Sequence, residues 1–370
     1  MKIVIATDSF KGSLTSKEAG DAIKEGIISS CPAAVVEVFE AADGGEGTLR
    51  AIVNARKGRF VNVTVTGPLG RPVNAAYGII GSPLTAVIDS SEACGLTLVP
   101  PDKRDPLYTT TAGVGELIKD ALDKGCRRFI IGLGGSSTND CGAGMLQSLG
   151  AKLLDEDGND IRQGAIGLSD LQTVDLSGLD GRTGKSEFLI ACDVKNPLTG
   201  PSGCSFVFAP QKGADKVSCQ KMDKWIGDFA KLFEDADSNF PGAGAAGGLG
   251  FALRTCLNGR MMSGAGLVLE QIGLEDAVKD ADIMITGEGR LDAQTVMGKL
   301  PFEAASLAKR YGVRTIAFAG KTEAGEDILH ECGIDEVYSI SEGISEQESM
   351  ANAAALLKKK ACEVMRGRSI

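Results

Sequence analysis

The sequence predicts an α/β protein with a parallel β-sheet and a second α/β domain inserted into the first. The chain of 370 residues is longer than a single hydrophobic core usually supports. Short apolar, β-branched segments alternate with helical segments at both ends of the chain, which is the pattern of βα units. A content of 43% hydrophobic and 24% charged residues is typical of a soluble globular protein.

The first βα unit lies at the N-terminus. Residues 2–6 (Lys-Ile-Val-Ile-Ala) predict a buried strand, and residues 15–29 show apolar side chains at helical spacing. Ser13 or Thr15, with Glu18 following, can form a capping box, which predicts the start of this helix.

Similar units follow in the rest of the chain. Residues 35–39 predict a second strand, with a helix after Gly47. The C-terminal third predicts strands at 282–285, 314–318 and 336–338, and helices at 301–311, after residue 318, and at 346–364. The repeated order of strand and helix predicts that both ends of the chain build one parallel sheet.

The middle of the chain has a different texture. Residues 60–90 predict several short strands with turns at Gly67-Pro68-Leu69-Gly70 and Gly81-Ser82-Pro83. Further strands are expected at 128–133 and 187–191, and helices at 113–124 and 225–233. We therefore expect an inserted mixed α/β domain over residues 67–256, and a discontinuous outer domain of residues 1–66 plus 257–370.

Composition excludes several classes of function. A formal net charge of -10 and a pI near 4.9 argue against binding of duplex nucleic acid, which needs a basic face. The sequence contains no apolar run as long as a membrane span and begins without a signal-like segment, so a cytoplasmic protein is expected. The ten cysteines lack metal-ligand spacing and predict reduced, mostly buried thiols.

The only histidine, His330, lies far from every glycine-rich segment, which leaves Ser-His-Asp and Cys-His mechanisms without their base. Any proton transfer would fall to a carboxylate or a lysine.

Two polar segments follow the first two strands. In the first, Asp8-Ser9-Phe10-Lys11-Gly12-Ser13, Lys11 can reach a phosphate and Asp8 can hold a metal, with Ser9 and Ser13 as further donors. In the second, Asp43-Gly44-Gly45-Glu46, acids stand among glycines whose backbone amides can approach an anion. For the first segment, the alternative is a capped turn with a solvated lysine. For the second segment, it is a plain Asp-Gly turn.

Two glycine-rich segments occur in the middle of the chain. Gly134-Gly135-Ser136-Ser137-Thr138-Asn139 runs from a strand towards a helix and offers amides and hydroxyls to a phosphate or a carboxylate. A helix cap needs one such side chain and not four in a row. Gly247 and Gly248 belong to a second backbone-exposing loop, for which close helix packing is an equal alternative.

Two acidic segments complete the candidates. Glu288, Arg290, Asp292 and Gln294 follow a strand in the C-terminal third, where acids and an arginine can balance metal and phosphate charge. A surface ion-pair network is the alternative. Asp193 ends an apolar strand with Asn196 close behind, and can be a base or a metal ligand, although Asn-Pro is also ordinary turn chemistry.

Together these segments resemble the bacterial glycerate kinase family of the glycerate 2-kinase type in order and spacing over residues 3 to about 320. The segments are DSFKGS, ADGGEGT, GGSSTND with GAGM, ACDVKNPLTGP with FAPQKGA, PGAGAAGGLGFAL and TGEGRLDAQT. The chain departs from the family pattern at Thr7, where proline is usual, and at Cys141, where glycine is usual.

The resemblance implies transfer of the γ-phosphoryl group of ATP to D-glycerate with Mg²⁺, and 2-phosphoglycerate as the favoured product. It also implies that the discontinuous domain is flavodoxin-like, with the active site in the cleft between the domains. A homodimer is one alternative for the oligomeric state.

Phosphoryl transfer needs positioning and charge neutralisation more than covalent chemistry. We therefore expect Asp193 to orient or deprotonate the acceptor hydroxyl, and Lys11 and Arg290 to stabilise the transferred charge. Asp43, Asp292 and Glu288 are the candidate metal ligands. Another small-molecule kinase or ligase, and a non-catalytic sensor of a phosphorylated metabolite, are the rival hypotheses.

Overall fold

The computed structural model describes residues 1–45, 47–234, 236–292, 298–323, 325–366 and 368. They confirm the α/β class. By its internal packing the chain forms two compact units. The first comprises Met1–Asp43, Asn54–Arg56 and Ser263–Ile370, and the second comprises Gly44–Val53 and Lys57–Met262. The expected domain limits at residues 66 and 256 stay a prediction.

The secondary structure follows the expected alternation. Within the described ranges the strands are β1 (Lys2–Thr7), β2 (Val35–Glu40), β3 (Arg59–Thr66), β4 (Pro72–Ile80), β5 (Thr85–Asp89), β6 (Arg128–Gly132), β7 (Lys152–Leu154), β8 (Thr173–Asp175), β9 (Glu187–Ala191), β10 (Arg260–Met262), β11 (Ile283–Leu291), β12 (Arg314–Thr322) and β13 (Glu336–Ser339). The α-helices of the same residues are α1 (Ser16–Ser30), α2 (Thr48–Ala55), α3 (Ser91–Cys94), α4 (Ala112–Asp123), α5 (Ala143–Ser148), α6 (Cys204–Val207), α7 (Lys216–Ala230), α8 (Ala245–Leu257), α9 (Gly264–Gln271), α10 (Leu274–Val278), α11 (Leu300–Arg310), α12 (Glu326–Glu331), α13 (Glu346–Ala351) and α14 (Ala353–Arg366).

The sheet of the first unit is parallel throughout its described strands, in the order β2-β1-β11-β12-β13. Ile3 of β1 lies between Val36 of β2 and Ile283 of β11. Counted along this unit alone, the order is 2-1-3-4-5, which is the flavodoxin-like arrangement. Its switch point lies between β1 and β11, and ligands of such sheets bind beyond the carboxyl ends of the strands at that point.

Helices α1 and α14 pack together over this sheet. Ile23 and Ile27 of α1 share a buried cluster with Leu357 and Ala361 of α14. Each fully buried isoleucine or leucine stabilises the fold by about 1.5–3 kcal/mol. The capping box at the start of α1 is confirmed, and Thr15 is its N-cap rather than Ser13.

The second unit contains a mixed sheet in the order β10-β9-β6-β5-β4-β3. The pairs β3–β4 and β4–β5 are antiparallel, which confirms the short, hairpin-like strands expected for residues 60–90. The remaining pairs are parallel. Phe129 stacks on Phe188 in its core, with ring centroids 4.7 Å apart.

Three predicted element boundaries were wrong. β11 continues to Leu291 through a segment expected to be a loop, because its residues pair with β12 as far as Thr322. The helix expected from Trp225 begins earlier, at Lys216, where Asp215 caps it. The helix expected over 346–364 is two helices, α13 and α14, with Asn352 between them. No helix in the described part of the chain is long and apolar enough to cross a membrane.

Candidate active site

A cavity of about 780 Å³ lies at the carboxyl edge of the parallel sheet in the first unit. This volume falls within the range of roughly 300–1,000 Å³ that small-molecule sites occupy. The ends of β1, β11, β12 and β13 and the helices α13 and α14 form it. Its lining residues are Asp8, Ser9, Phe10, Lys11, Ser13, Glu288, Gly289, Arg290, Asp292, Lys299, Gly320, Lys321, Thr322, Ser339, Ile340, Ser341, Glu342, Ile344, Glu346, Ser349, Met350 and Ala353.

The loop after β1 enters this cavity at the switch point of the sheet. The backbone N–H of Asp8 donates to the carbonyl of Gly287 in β11 at 2.8 Å, so the ends of the two strands are joined. The Asp8 carboxylate accepts from the backbone N–H of Ser9 at 2.7 Å. Ser13 donates from its hydroxyl to the carbonyl of Met350 at 2.6 Å, which ties the far end of the loop to α13.

The carboxyl group of Asp8, which lines this cavity, is strongly perturbed. Its side chain is 4% exposed, and burial raises its pKa to about 7. The neighbouring negative charges of Asp43 and Glu288 contribute to this rise, while the bond from Ser9 and the charge of Lys11 oppose it. Such a shift shows that acidic side chains gather here in a poorly solvated environment.

Cationic side chains surround these acids. Lys299 approaches the buried carboxylate of Glu288 at 3.6 Å. The guanidinium of Arg290 is half exposed and lies 3.9 Å from both Glu323 and Glu346, at the edge of ion-pair distance. Such long, exposed pairs contribute little to stability, so Arg290 can change partners for an incoming anion at small cost.

The acids of the first unit suit a hard divalent cation. No cluster of three or more acidic, histidine or cysteine side chains among the described residues could hold a metal by itself. Mg²⁺ commonly takes one or two protein carboxylates and completes its shell with water and substrate phosphates. The carboxylates of Asp43, Glu288 and Asp292 therefore fit Mg²⁺ as partial ligands, one or two at a time, and their assignment as ligands stays a prediction.

In the second unit, the loop 134–139 is held by backbone pairing. Leu96 donates to the carbonyl of Gly135, and Gly95 and Ser136 form an isolated bridge. The buried Ser137 donates from its backbone and its hydroxyl to the carbonyl of Cys94, at 2.8 and 2.9 Å.

The four polar residues predicted to bind a ligand in this loop, residues 136–139, are all buried. Asn139, with no exposed surface, donates from its amide to the Ser205 hydroxyl at 2.9 Å. Thr138 is equally buried. Ser136 is 6% exposed. The ligand-binding roles expected for Gly134, Gly135, Ser136, Ser137, Thr138 and Asn139 stay predictions.

Two buried charged residues next to this loop were not expected from the sequence. Lys212 is 3% exposed, and its Nζ donates to Ser136 Oγ at 2.9 Å and to the carbonyl of Thr138 at 2.7 Å. Asp140 is fully buried and accepts from Thr111 and from the backbone N–H groups of Gly142 and Gly144. Lys212 belongs to the segment FAPQKGA that carries the family resemblance, but only the tertiary fold shows that it is buried.

The loop with Gly247 and Gly248 packs against the same segment. Both glycines have left-handed backbones, with φ of 69° and 87°. A Cβ at Gly247 would lie 2.1 Å from the carbonyl oxygen of Thr138, so close packing, the alternative weighed for this loop, requires glycine here. Cys141 also has a positive φ of 53°, a backbone region that favours glycine. The phosphate-binding role of both glycines stays a prediction.

The remaining candidates lie on strand ends and turns. Gly44 and Gly45 precede α2 in the second unit, and the backbone N–H of Leu49 donates to Asp89 at 3.1 Å. Asp193 is half-buried just beyond β9. Asn196 donates to the carbonyl of Ser202 at 2.8 Å, as a turn residue would. Gln294 lies outside the described residues.

Comparison with known proteins decides the family. The model of the glycerate kinase family matches residues 3–368. The chain belongs to the glycerate kinase family. It is 48% identical to glycerate kinase of Bacillus subtilis (strain 168) over 369 residues, which covers 98% of this chain and 97% of the relative. It is 45% identical to glycerate 2-kinase of Escherichia coli (strain K12), covering 92% of this chain and 90% of the relative.

A solved structure of the family supports the same fold. The crystal structure of a protein assigned as glycerate kinase 2 from Salmonella typhimurium LT2 matches with a TM-score of 0.85 and 44% identity, covering 99% of this chain and 97% of the other. The resemblance drawn from the sequence is therefore confirmed, and the chain is a kinase of the glycerate kinase family. The non-catalytic sensor is set aside.

Proposed function

We propose that this chain transfers the γ-phosphoryl group of ATP to a hydroxyl of D-glycerate in the presence of Mg²⁺, with 2-phosphoglycerate as the product. The observation that carries the proposal is the cavity of the first unit, where Lys11, Arg290 and Lys299 stand beside Asp8 and Glu288 at the switch point of a parallel sheet. The relative named glycerate 2-kinase, 45% identical over 344 residues, favours transfer to the hydroxyl on C2.

The cations of the cavity suit a triphosphate. Lys11 is exposed on the loop after β1, and no hydrogen bond or ion pair of its ammonium is present within the described residues. Among the described residues, the ion-pair partners of Arg290 lie 3.9 Å away. Both side chains can therefore turn towards phosphate oxygens and stabilise the charge that moves during transfer.

The acids beside this cavity explain why a metal would be needed. Burial raises the pKa of Asp8, and the negative charges of Asp43 and Glu288 add to the rise, so these carboxylates would also repel a triphosphate. Bound Mg²⁺ would neutralise phosphate charge beside these acids, with Asp43 or Asp292 as the first candidates to hold it and Glu288 as the next. The acids also define where the cation must sit, so they orient the nucleotide as well.

Asp193 of the second unit is our candidate for the residue that orients or deprotonates the glycerate hydroxyl. It stands at the carboxyl end of β9, half-buried, where an acid can face a small ligand. The loose transition state of phosphoryl transfer makes orientation of the attacking oxygen as important as removal of its proton.

The test is a coupled ADP assay with the full chain, ATP, Mg²⁺ and D-glycerate, followed by phosphorus NMR of the product. We expect ADP release that depends on D-glycerate and stops with EDTA, and a phosphorus signal coupled to the proton on C2. A panel of other small hydroxy acids and L-glycerate tests the choice of acceptor. Phosphorylation of a different acid at higher kcat/KM, or a product phosphorylated on C3, would refute the corresponding part of the proposal.

A further inference from the structure

Lys212 is an ammonium group buried inside the second unit. It ends a short turn of residues 210–212 and is followed by Gly213, whose φ is 102°. A Cβ at Gly213 would lie 2.0 Å from the carbonyl oxygen of Arg104, so glycine is required to turn the chain and point Lys212 inwards. The inward direction of the Lys212 side chain therefore depends on a glycine with a left-handed backbone at position 213.

Within the described part of the chain, no salt bridge explains why this charge is buried. Among the described residues no carboxylate lies within ion-pair distance of Lys212 Nζ, and its direct partners are the Ser136 hydroxyl and the Thr138 carbonyl. Burying an ammonium costs several kcal/mol, and even buried ion pairs can often be replaced by apolar side chains without loss of stability. A lysine that serves only packing would therefore be a poor choice here.

The direction of the hydrogen bonds shows what Lys212 does to the loop. An ammonium only donates, so Ser136 Oγ must accept from Lys212, and its own hydrogen is left to point elsewhere. No bond donated by that hydroxyl is present within the part of the chain that the structure describes. Ser136 keeps 6% of its surface exposed, while Ser137 keeps 1% and uses its hydroxyl on Cys94.

We propose that Lys212 is a positioning residue that polarises the Ser136 hydroxyl and aims its proton at an anionic oxygen of a substrate, either a carboxylate or a phosphate. This inference rests on the proposed function, and adds to it a residue that does not itself touch the substrate. The second bond, to the Thr138 carbonyl, keeps the loop at a fixed distance from the ammonium.

The protonation state of Lys212 predicts a pH dependence that provides a second test of this role. Burial lowers its pKa to about 8, while Cys204, Cys94 and the carboxylate of Asp140 raise it. Arg104, whose backbone packs on Gly213, is a further charged residue beside this turn. As the pH rises through about 8, Lys212 loses its proton and can no longer fix the direction of the Ser136 hydroxyl.

The experiment is a double-mutant cycle with Lys212→Met, Ser136→Ala and both together, in the full chain. KM is measured separately for D-glycerate and for ATP, which distinguishes a carboxylate ligand from a phosphate ligand. We expect KM for one of the two substrates to rise about tenfold in each single variant, as for loss of one hydrogen bond to a charged group. The double variant should be no worse than the worse single variant.

Lys216→Met is the matched control, because Lys216 is an exposed lysine at the start of the following helix. Its KM values should equal those of the wild type. Unchanged KM values in Lys212→Met, or effects that multiply to about a hundredfold in the double variant, would overturn the proposal. A wild type that forms no phosphoglycerate would instead refute the proposed function.

A measurement without any Lys212 variant covers the case in which Lys212→Met does not fold. The KM for the substrate that responds in Ser136→Ala is measured from pH 7 to 9 in the wild type and in Ser136→Ala. We expect KM of the wild type to rise at alkaline pH and KM of Ser136→Ala to stay flat there. Equal profiles in the two proteins would overturn the proposal.

Discussion

The buried carboxyl group of Asp8 makes the stability of this protein depend on pH in an unusual direction. Below pH 3.8 the group is protonated in the folded and the unfolded chain, and makes no difference. Above that pH the unfolded chain ionises, while the folded chain holds its proton until about pH 7. The free energy of unfolding therefore falls across this window and stays reduced above it.

The magnitude follows from the shift of the pKa from 3.8 to about 7. Roughly three pKa units at about 1.4 kcal/mol each correspond to about 4 kcal/mol above pH 7. Asp8→Asn removes the charge while its side-chain oxygen can still accept from Ser9. We therefore expect the variant to be more stable than the wild type at pH 8 and equal to it near pH 4. The difference in Tm should approach 10 °C, since about 2–4 °C correspond to each kcal/mol in a domain of this size.

The assay is thermal unfolding in EDTA at several pH values between 4 and 8, followed by circular dichroism. EDTA removes divalent cations that would neutralise Asp8. Asp102→Asn, which neutralises an exposed carboxylate, is the control and should follow the wild type. Parallel pH profiles for the wild type and Asp8→Asn, or a lower Tm for the variant at pH 8, would refute the reasoning.

Three further predictions concern the candidate site and its support. Asp193→Asn should lower turnover at least about a hundredfold, the low end for loss of a general base, and near-normal turnover in the coupled assay would remove Asp193 from that role. Gly247→Ala should lower Tm and raise KM, because the new Cβ would lie 2.1 Å from the carbonyl oxygen of Thr138. The control is Gly158→Ala, which has a φ of 78° but lies in open space and should lower Tm only slightly. Equal losses of Tm in the two variants would contradict the packing argument. Thr15→Ala should cost about 1 kcal/mol through loss of the capping box of α1 and leave turnover unchanged, and an unaltered Tm would show that the cap is not needed.

Local patterns in the sequence were sufficient for most of the fold. Alternation of β-branched segments with amphipathic ones predicts the βα units, because side-chain periodicity decides which face of an element is buried. The Thr15/Glu18 pair marked the start of α1 because a capping box is a contact between residues only three positions apart. The extension of β11 to Leu291 escaped prediction, because it depends on pairing with a strand formed some thirty residues later in the chain.

The six polar and glycine-rich segments were equally accessible in the sequence, since their order and spacing resemble those of the glycerate kinase family. Their composition predicts chemistry with anions but does not say which side chains remain free to perform it. The sequence does not reveal that the pKa of Asp8 is raised. Nor does it reveal that the ammonium of Lys212 is buried.

The sequence by itself determined the class of fold and the family, and it predicted which segments are candidates for the chemistry. Only the tertiary structure decided that the charges of Asp43 and Glu288 act on the buried Asp8 and that Lys212 donates to Ser136. The reason is physical: periodicity and capping act between neighbours in the chain, whereas desolvation and charge interactions depend on distances between residues far apart in it.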